Sequence, residues 1–92
     1  MVLSLEQAIY SVLYKTKKLN VIDITNIIKD TNDTLYKILG NIPEAMVSAN
    51  CSKLYKTQKL KRDTTMLPYI YYINYDNAPF NANLSATLLP IE

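Results

Sequence analysis

The sequence contains no histidine. With it go the usual general base at neutral pH, the commonest transition-metal ligand and the Ser–His or Cys–His pairs of nucleophilic enzymes. A single cysteine, Cys51, excludes an intrachain disulfide, a Cys-rich zinc site and a two-cysteine redox motif. Free cysteines are most often packed inside, so a buried structural thiol is expected. One glycine, Gly40, cannot build a phosphate-binding loop. The carboxylates Glu6, Asp23, Asp30, Asp33, Glu44, Asp63, Asp76 and Glu92 show neither metal-loop nor paired-acid spacing. The expectation is a protein that is not an enzyme and needs no cofactor or metal. No apolar run approaches the roughly 18–20 residues of a membrane-spanning helix. Met1-Val2-Leu3-Ser4-Leu5-Glu6 lacks the basic start and apolar middle of a secretory signal, so a cytoplasmic location is expected.

What is present points to one folded domain. The chain has 92 residues, 49% hydrophobic and 20% charged, enough apolar surface for one core and too little length for two. Eight tyrosines, abundant Asn, Ile and Lys, and no tryptophan suggest an AT-rich coding sequence, as in a virus, a phage or an AT-rich microbe. In a virus the compartment would be the host cytoplasm.

Ser4 with Gln7 has the form of a capping box, and Leu5, Ala8, Ile9, Val12 and Leu13 follow on one helical face, with Tyr10 and Tyr14 extending the stripe. A first helix to about Lys17 is predicted, its end populated by Lys15, Lys17 and Lys18 where cations meet the negative end of the dipole. Leu19-Asn20-Val21-Ile22 fits a short connection able to pair as an edge strand, with Asp23 as N-cap of a second helix carrying Ile24, Ile27 and Ile28. Asp30-Thr31-Asn32-Asp33 offers turn and capping groups before the stripe Leu35, Ile38 and Leu39, which Gly40 can end in a left-handed conformation. Residues 24–39 fit either two helices or one bent helix.

Pro43 suits the first turn of the next helix and Asn41 can supply the capping oxygen. That helix should run to about Thr57, burying Val47, Cys51 and Leu54, with Met46 and Tyr55 at the borders. Its opposite side, Glu44, Ser48, Ser52, Lys53 and Lys56, is small and polar, which lets the backbone approach another surface closely. Lys59-Leu60-Lys61-Arg62, a turn at Asp63-Thr64-Thr65, and the Tyr- and Ile-rich Leu67 to Tyr75 form a β-hairpin signal. Pro68 argues against a central position in a sheet at that point. In the second strand, Tyr69, Tyr71, Ile73 and Tyr75 share one face, and Ile70, Tyr72 and Asn74 the other. Residues 77–92, with two prolines and the apolar Phe80, Leu84, Leu88, Leu89 and Ile91, read as an irregular tail packed on residues 1–76 or on a second copy.

The run Met46-Val47-Ser48-Ala49-Asn50-Cys51-Ser52-Lys53-Leu54-Tyr55-Lys56-Thr57-Gln58-Lys59-Leu60-Lys61-Arg62 resembles the end of the recognition helix and first wing strand of winged-helix transcription regulators. Those proteins show a Val-Ser start, a following Leu, a short turn, then an apolar residue and Arg before the wing. The likeness covers roughly a third of the chain. It implies an α+β, mostly helical fold, a winged helix of three or four helices followed by a two-stranded β-hairpin wing. Two departures stand out. Where such regulators often carry glycine after the recognition helix, this chain has Thr57-Gln58-Lys59, so either the turn differs locally or Gln58 carries mild strain. The link Thr31 to Asn41 is also longer than usual.

Five of the ten basic residues, Lys53, Lys56, Lys59, Lys61 and Arg62, fall between Glu44 and Asp63 with no acid among them. On a winged helix they flank the major groove and would neutralise phosphates. Ser48, Asn50 and Ser52 are the candidates for groove contacts, and Thr64 for a contact from the wing tip. The expected function is a sequence-specific regulator that binds double-stranded DNA as a homodimer. The alternative is a small viral or phage winged-helix protein that binds and inhibits a host protein. Tyr69, Tyr71, Tyr72 and Tyr75 could stack on bases, but strand tyrosines are more often core or dimer contacts.

Overall fold

The structure is a computed structural model and describes residues 4–76. The tail expected over residues 77–92 lies outside the described residues. Ser4 opens helix α1 (Leu5–Thr16): its hydroxyl accepts the Gln7 amide at 3.1 Å while Gln7 Oε1 accepts the Ser4 amide at 3.1 Å. This reciprocal box satisfies donors that a helix start leaves orphaned. Ala8, Ile9, Val12 and Leu13 are completely buried, and Tyr10 nearly so. The helix contacts α2, α4 and β3, all defined below.

After Lys17, strand β1 (Lys18–Asn20) is only three residues long. Helix α2 (Val21–Thr31) begins immediately, so Val21 and Ile22 are helical. Its N-cap is Asn20, which accepts the Asp23 amide at 2.8 Å, and this corrects the assignment of the cap to Asp23. Both residue types cap well, but Asn20 leaves the strand already extended, at φ −84° and ψ 169°, the backbone conformation an N-cap needs. Residues 24–39 form two helices, α2 and the short α3 (Asp33–Ile38). Asn32 stands at the junction, donating its amide to Ile28 O at 2.8 Å and accepting the Leu35 amide at 3.1 Å. Leu35 and Leu39 are buried, whereas Ile38 is 66% exposed and leaves the predicted stripe. Gly40 takes φ 77°, a left-handed conformation that costs glycine little.

Helix α4 (Pro43–Lys56) has proline in its first turn and buries Val47, Cys51 and Leu54. The predicted Asn41 cap is not made: the N-cap position falls on Ile42, one residue later, and no side chain caps the helix. Strands β2 (Leu60–Asp63) and β3 (Ile70–Ile73) follow. They do not stand alone as a two-stranded hairpin. β1 pairs with β3, giving an antiparallel three-stranded sheet of order β1-β3-β2. The Tyr-rich strand is therefore central, and Pro68 is accommodated because pairing begins only at Ile70, so its missing N–H removes no ladder bond. The connection runs from Thr64 to Tyr69 and starts in the predicted turn, where the Asp63 carboxylate accepts the Thr65 amide at 2.9 Å and its hydroxyl at 2.6 Å.

The result is an α+β fold, mostly helical, with four helices and one three-stranded antiparallel sheet among the described residues. Leu60, Tyr71 and Ile73 turn inward to join the helical residues in a common core. No helix of the described residues is long and apolar enough to cross a membrane.

Candidate functional site

The junction after α4 decides how the basic residues are displayed. Thr57 caps the helix and Gln58 takes φ 65°. The Gln58 amide donates to Tyr55 O at 3.0 Å and the Lys59 amide to Leu54 O at 2.8 Å. This pair of bonds is the Schellman pattern, in which glycine ordinarily occupies the left-handed position. Of the two alternatives left by the missing glycine, the turn thus keeps its ordinary geometry and Gln58 carries the strain, at a cost of about 1 kcal/mol. Asn74, just past β3, locks the turn: its side-chain amide donates to Gln58 O at 2.7 Å and its backbone amide to Lys59 O at 3.1 Å. The end of α4 is thereby held against the end of the central strand.

On α4, the side opposite Val47, Cys51 and Leu54 is formed by Ala45, Ala49, Ser52 and Lys56 at about 100° per residue. Ala45, Ala49, Lys53 and Lys56 are exposed, while Ser48, Asn50 and Ser52 are half-buried. Asn50 turns its amide back onto its own helix, donating to Met46 O at 3.3 Å. Reading only polar residues passed over Ala45 and Ala49 on this exposed side; their four-residue step, continued by Ser52 and Lys56, was the available signal. Lys59 is half-buried, and Lys61 and Thr64 are exposed. A groove of about 520 Å³ between the end of α4 and the sheet brings Lys56, Lys61 and Arg62 together with Tyr55 and Tyr72.

Arg62 differs from the lysines around it. It pairs across the strands with Tyr71 on the inward face. Its guanidinium carbon lies 4.0 Å from the centroid of the Tyr55 ring and 4.9 Å from that of Tyr69. Nη1 donates to the Tyr71 hydroxyl at 3.4 Å, a bond that raises an already high pKa. Nε is buried with no hydrogen-bond partner among the described residues. Cation–π attraction and stem packing therefore tie β2 and β3 to α4 through this side chain. The register that creates the contact is not visible in a linear run of basic residues.

Chemically reactive groups are muted. Burial pushes the Cys51 thiol up to about 12, so it stays protonated and packs as a small apolar group. Burial, assisted by Glu6, likewise raises the Tyr10 hydroxyl to about 12. Hydrogen bonds from Thr65 hold the Asp63 carboxyl below its ordinary value. Among the described residues no group of three or more His, Cys, Asp or Glu side chains is placed to hold a metal ion. What the region offers is shape and positive charge. No family model, curated protein sequence or solved structure matches the chain.

Proposed function

We propose that the chain is a winged-helix protein that binds double-stranded DNA as a sequence-specific regulator, with α4 in the major groove and the β2–β3 hairpin as the wing. The carrying observation is the exposed face of α4. Ala45, Ala49 and Ser52 form a low surface that ends in Lys53 and Lys56. The element order supports the same reading, since a hairpin follows α4 directly and β1 completes its sheet. The long link between α2 and α4 is occupied by α3. A groove about 12 Å wide admits a helix whose contact face is small, and alanine can meet a thymine methyl group. Lys53, Lys56, Lys59 and Lys61 would neutralise phosphates on either side, releasing counterions. Arg62 then acts behind the interface, holding the hairpin against α4.

Titration of fluorescent genomic duplex fragments over a salt series tests this. Lys53→Ala with Lys56→Ala should weaken binding and flatten the slope of log affinity against log salt by about one per lysine. Equal affinity and slope for wild type and variant would sink the assignment. A homodimer belongs to the proposal. Its contact cannot be strand pairing along β3, whose two edges are both occupied.

One observation favours the second reading, a viral or phage protein that docks on a host protein. Ile38, Ile42 and Met46 near the start of α4, and Met66 and Leu67 in the hairpin connection, are exposed, Leu67 to 83%. A protein-binder of that kind would fail to retard DNA even at low salt.

A further inference from the structure

Beside Lys61, which the duplex reading already uses, the outward face of the sheet carries a cation that reading leaves unused, Lys18. In the antiparallel register, Lys18 on β1 and Lys61 on β2 both lie opposite Tyr72 on β3. Residues in register point to the same side, so one tyrosine stands between two lysines across the sheet. Lys18 Nζ sits 5.0 Å from the centroid of the Tyr72 ring. Lys17 and Tyr75 extend the group, and together these side chains line a depression of about 330 Å³ that also includes Asp76. Tyr75 is 60% exposed. Three lysines thus face a single carboxylate there; a second, Asp63, interacts with Lys18 but is already bonded to Thr65.

Two further facts give the group direction. Lys61 and Tyr72 also line the groove beside Lys56, so the basic and aromatic surface continues around edge strand β2 from the end of α4. Lys17 adopts φ 77° and ψ −58°, a rare and strained conformation for a residue with a side chain. Such strain is retained where surrounding structure or function demands it.

We propose that this face binds single-stranded nucleic acid. Phosphates run along Lys17, Lys18 and Lys61, and a base stacks on Tyr75. A duplex cannot serve here, because its base faces are already stacked and the rod is stiff on the scale of a surface that turns around a strand. A single strand is flexible and offers every base to a tyrosine. The site shares Lys61 with the duplex reading, but Lys17, Lys18 and Tyr75 belong to it alone, so each reading can fail without the other.

Anisotropy of a labelled oligothymidine of about a dozen nucleotides, long enough to span one small binding surface, is the test, with a duplex titration in parallel. The Lys17→Ala, Lys18→Ala double variant should weaken oligothymidine binding by about tenfold. Tyr75→Ala should weaken it by about fivefold or more, and Tyr75→Phe should restore it, since stacking needs the ring and not the hydroxyl. Duplex affinity should stay near wild type in Tyr75→Ala. Thermal melts establish that the variants are folded; should the lysine pair fail to fold, the two Tyr75 variants decide alone. No binding of oligothymidine by wild type overturns the proposal. So does equal affinity in Tyr75→Ala combined with full competition by inorganic polyphosphate, which would reduce the face to a plain anion patch.

Discussion

Lys61 and Arg62 are neighbours in sequence, yet the sheet sends them to opposite environments. Arg62 turns inward, stacks on tyrosine rings and becomes part of the packing; Lys61 turns outward, stays exposed and joins two open grooves. The same division separates Tyr71, buried on the inner face, from Tyr72, half-buried on the outer one. Charge and aromatic content are similar on the two sides. On the inner side Arg62 stacks on two rings and bonds a third; on the outer side Lys18 lies 5.0 Å from the Tyr72 ring, while Lys61 and Tyr75 stay exposed.

The largest test of this contrast is truncation of the two adjacent tyrosines. Tyr71→Ala removes a buried ring and the hydroxyl that Arg62 bonds, and should cost about 3–5 kcal/mol in urea unfolding. Tyr72→Ala should cost about 1 kcal/mol or less, the scale of a cross-strand pair. Similar losses at both positions would erase the distinction between the faces.

Next in size is the pair of cations. Arg62→Ala should destabilise by about 1–2 kcal/mol through lost ring contacts and stem packing, while Lys61→Ala stays within about 0.5 kcal/mol. Arg62→Lys should recover less than half of the loss, because an ammonium lacks the planar stacking of a guanidinium. Full recovery would mean that charge alone matters there.

The smallest effect concerns the turn that sets which residue faces inward. A shift of one residue would exchange Lys61 and Arg62 between faces. Gln58→Gly relieves the left-handed strain but loosens the unfolded chain, so a net gain of about 0.5 kcal/mol is expected from thermal melting. A loss would indicate that the Gln58 side chain supports the turn by more than the backbone strain it introduces.

The helices were largely readable because their signals are local. The Ser4–Gln7 box, Pro43 in a first turn, and Val47, Cys51 and Leu54 at steps of four and three all lie within a few residues of the features they specify. Errors arose where two local solutions competed. Asn20 and Asp23 could each cap α2, and the choice fell to the strand pairing that delivers Asn20 in extended form. Long-range register was the blind spot. Nothing near Lys18 announces that it will lie opposite Tyr72, and nothing near Arg62 announces Tyr55. The charged residues among the predicted site set were picked out by composition alone, whereas their sorting into packed and open groups required the sheet.

Asn32 alone separates two helices, ending one and starting the other. This has a consequence for how the chain can vary in length. One residue inserted there would split the two roles of Asn32, leaving one helix without its cap and displacing the start of α3, which carries the buried Leu35. Residues 66–68, between the Thr65 turn and Tyr69, have no such constraint, their backbone lying outside the ladder and their side chains exposed. Length changes among descendants of this sequence should therefore collect at the hairpin connection, while the spacing from Asn20 to Leu39 stays constant.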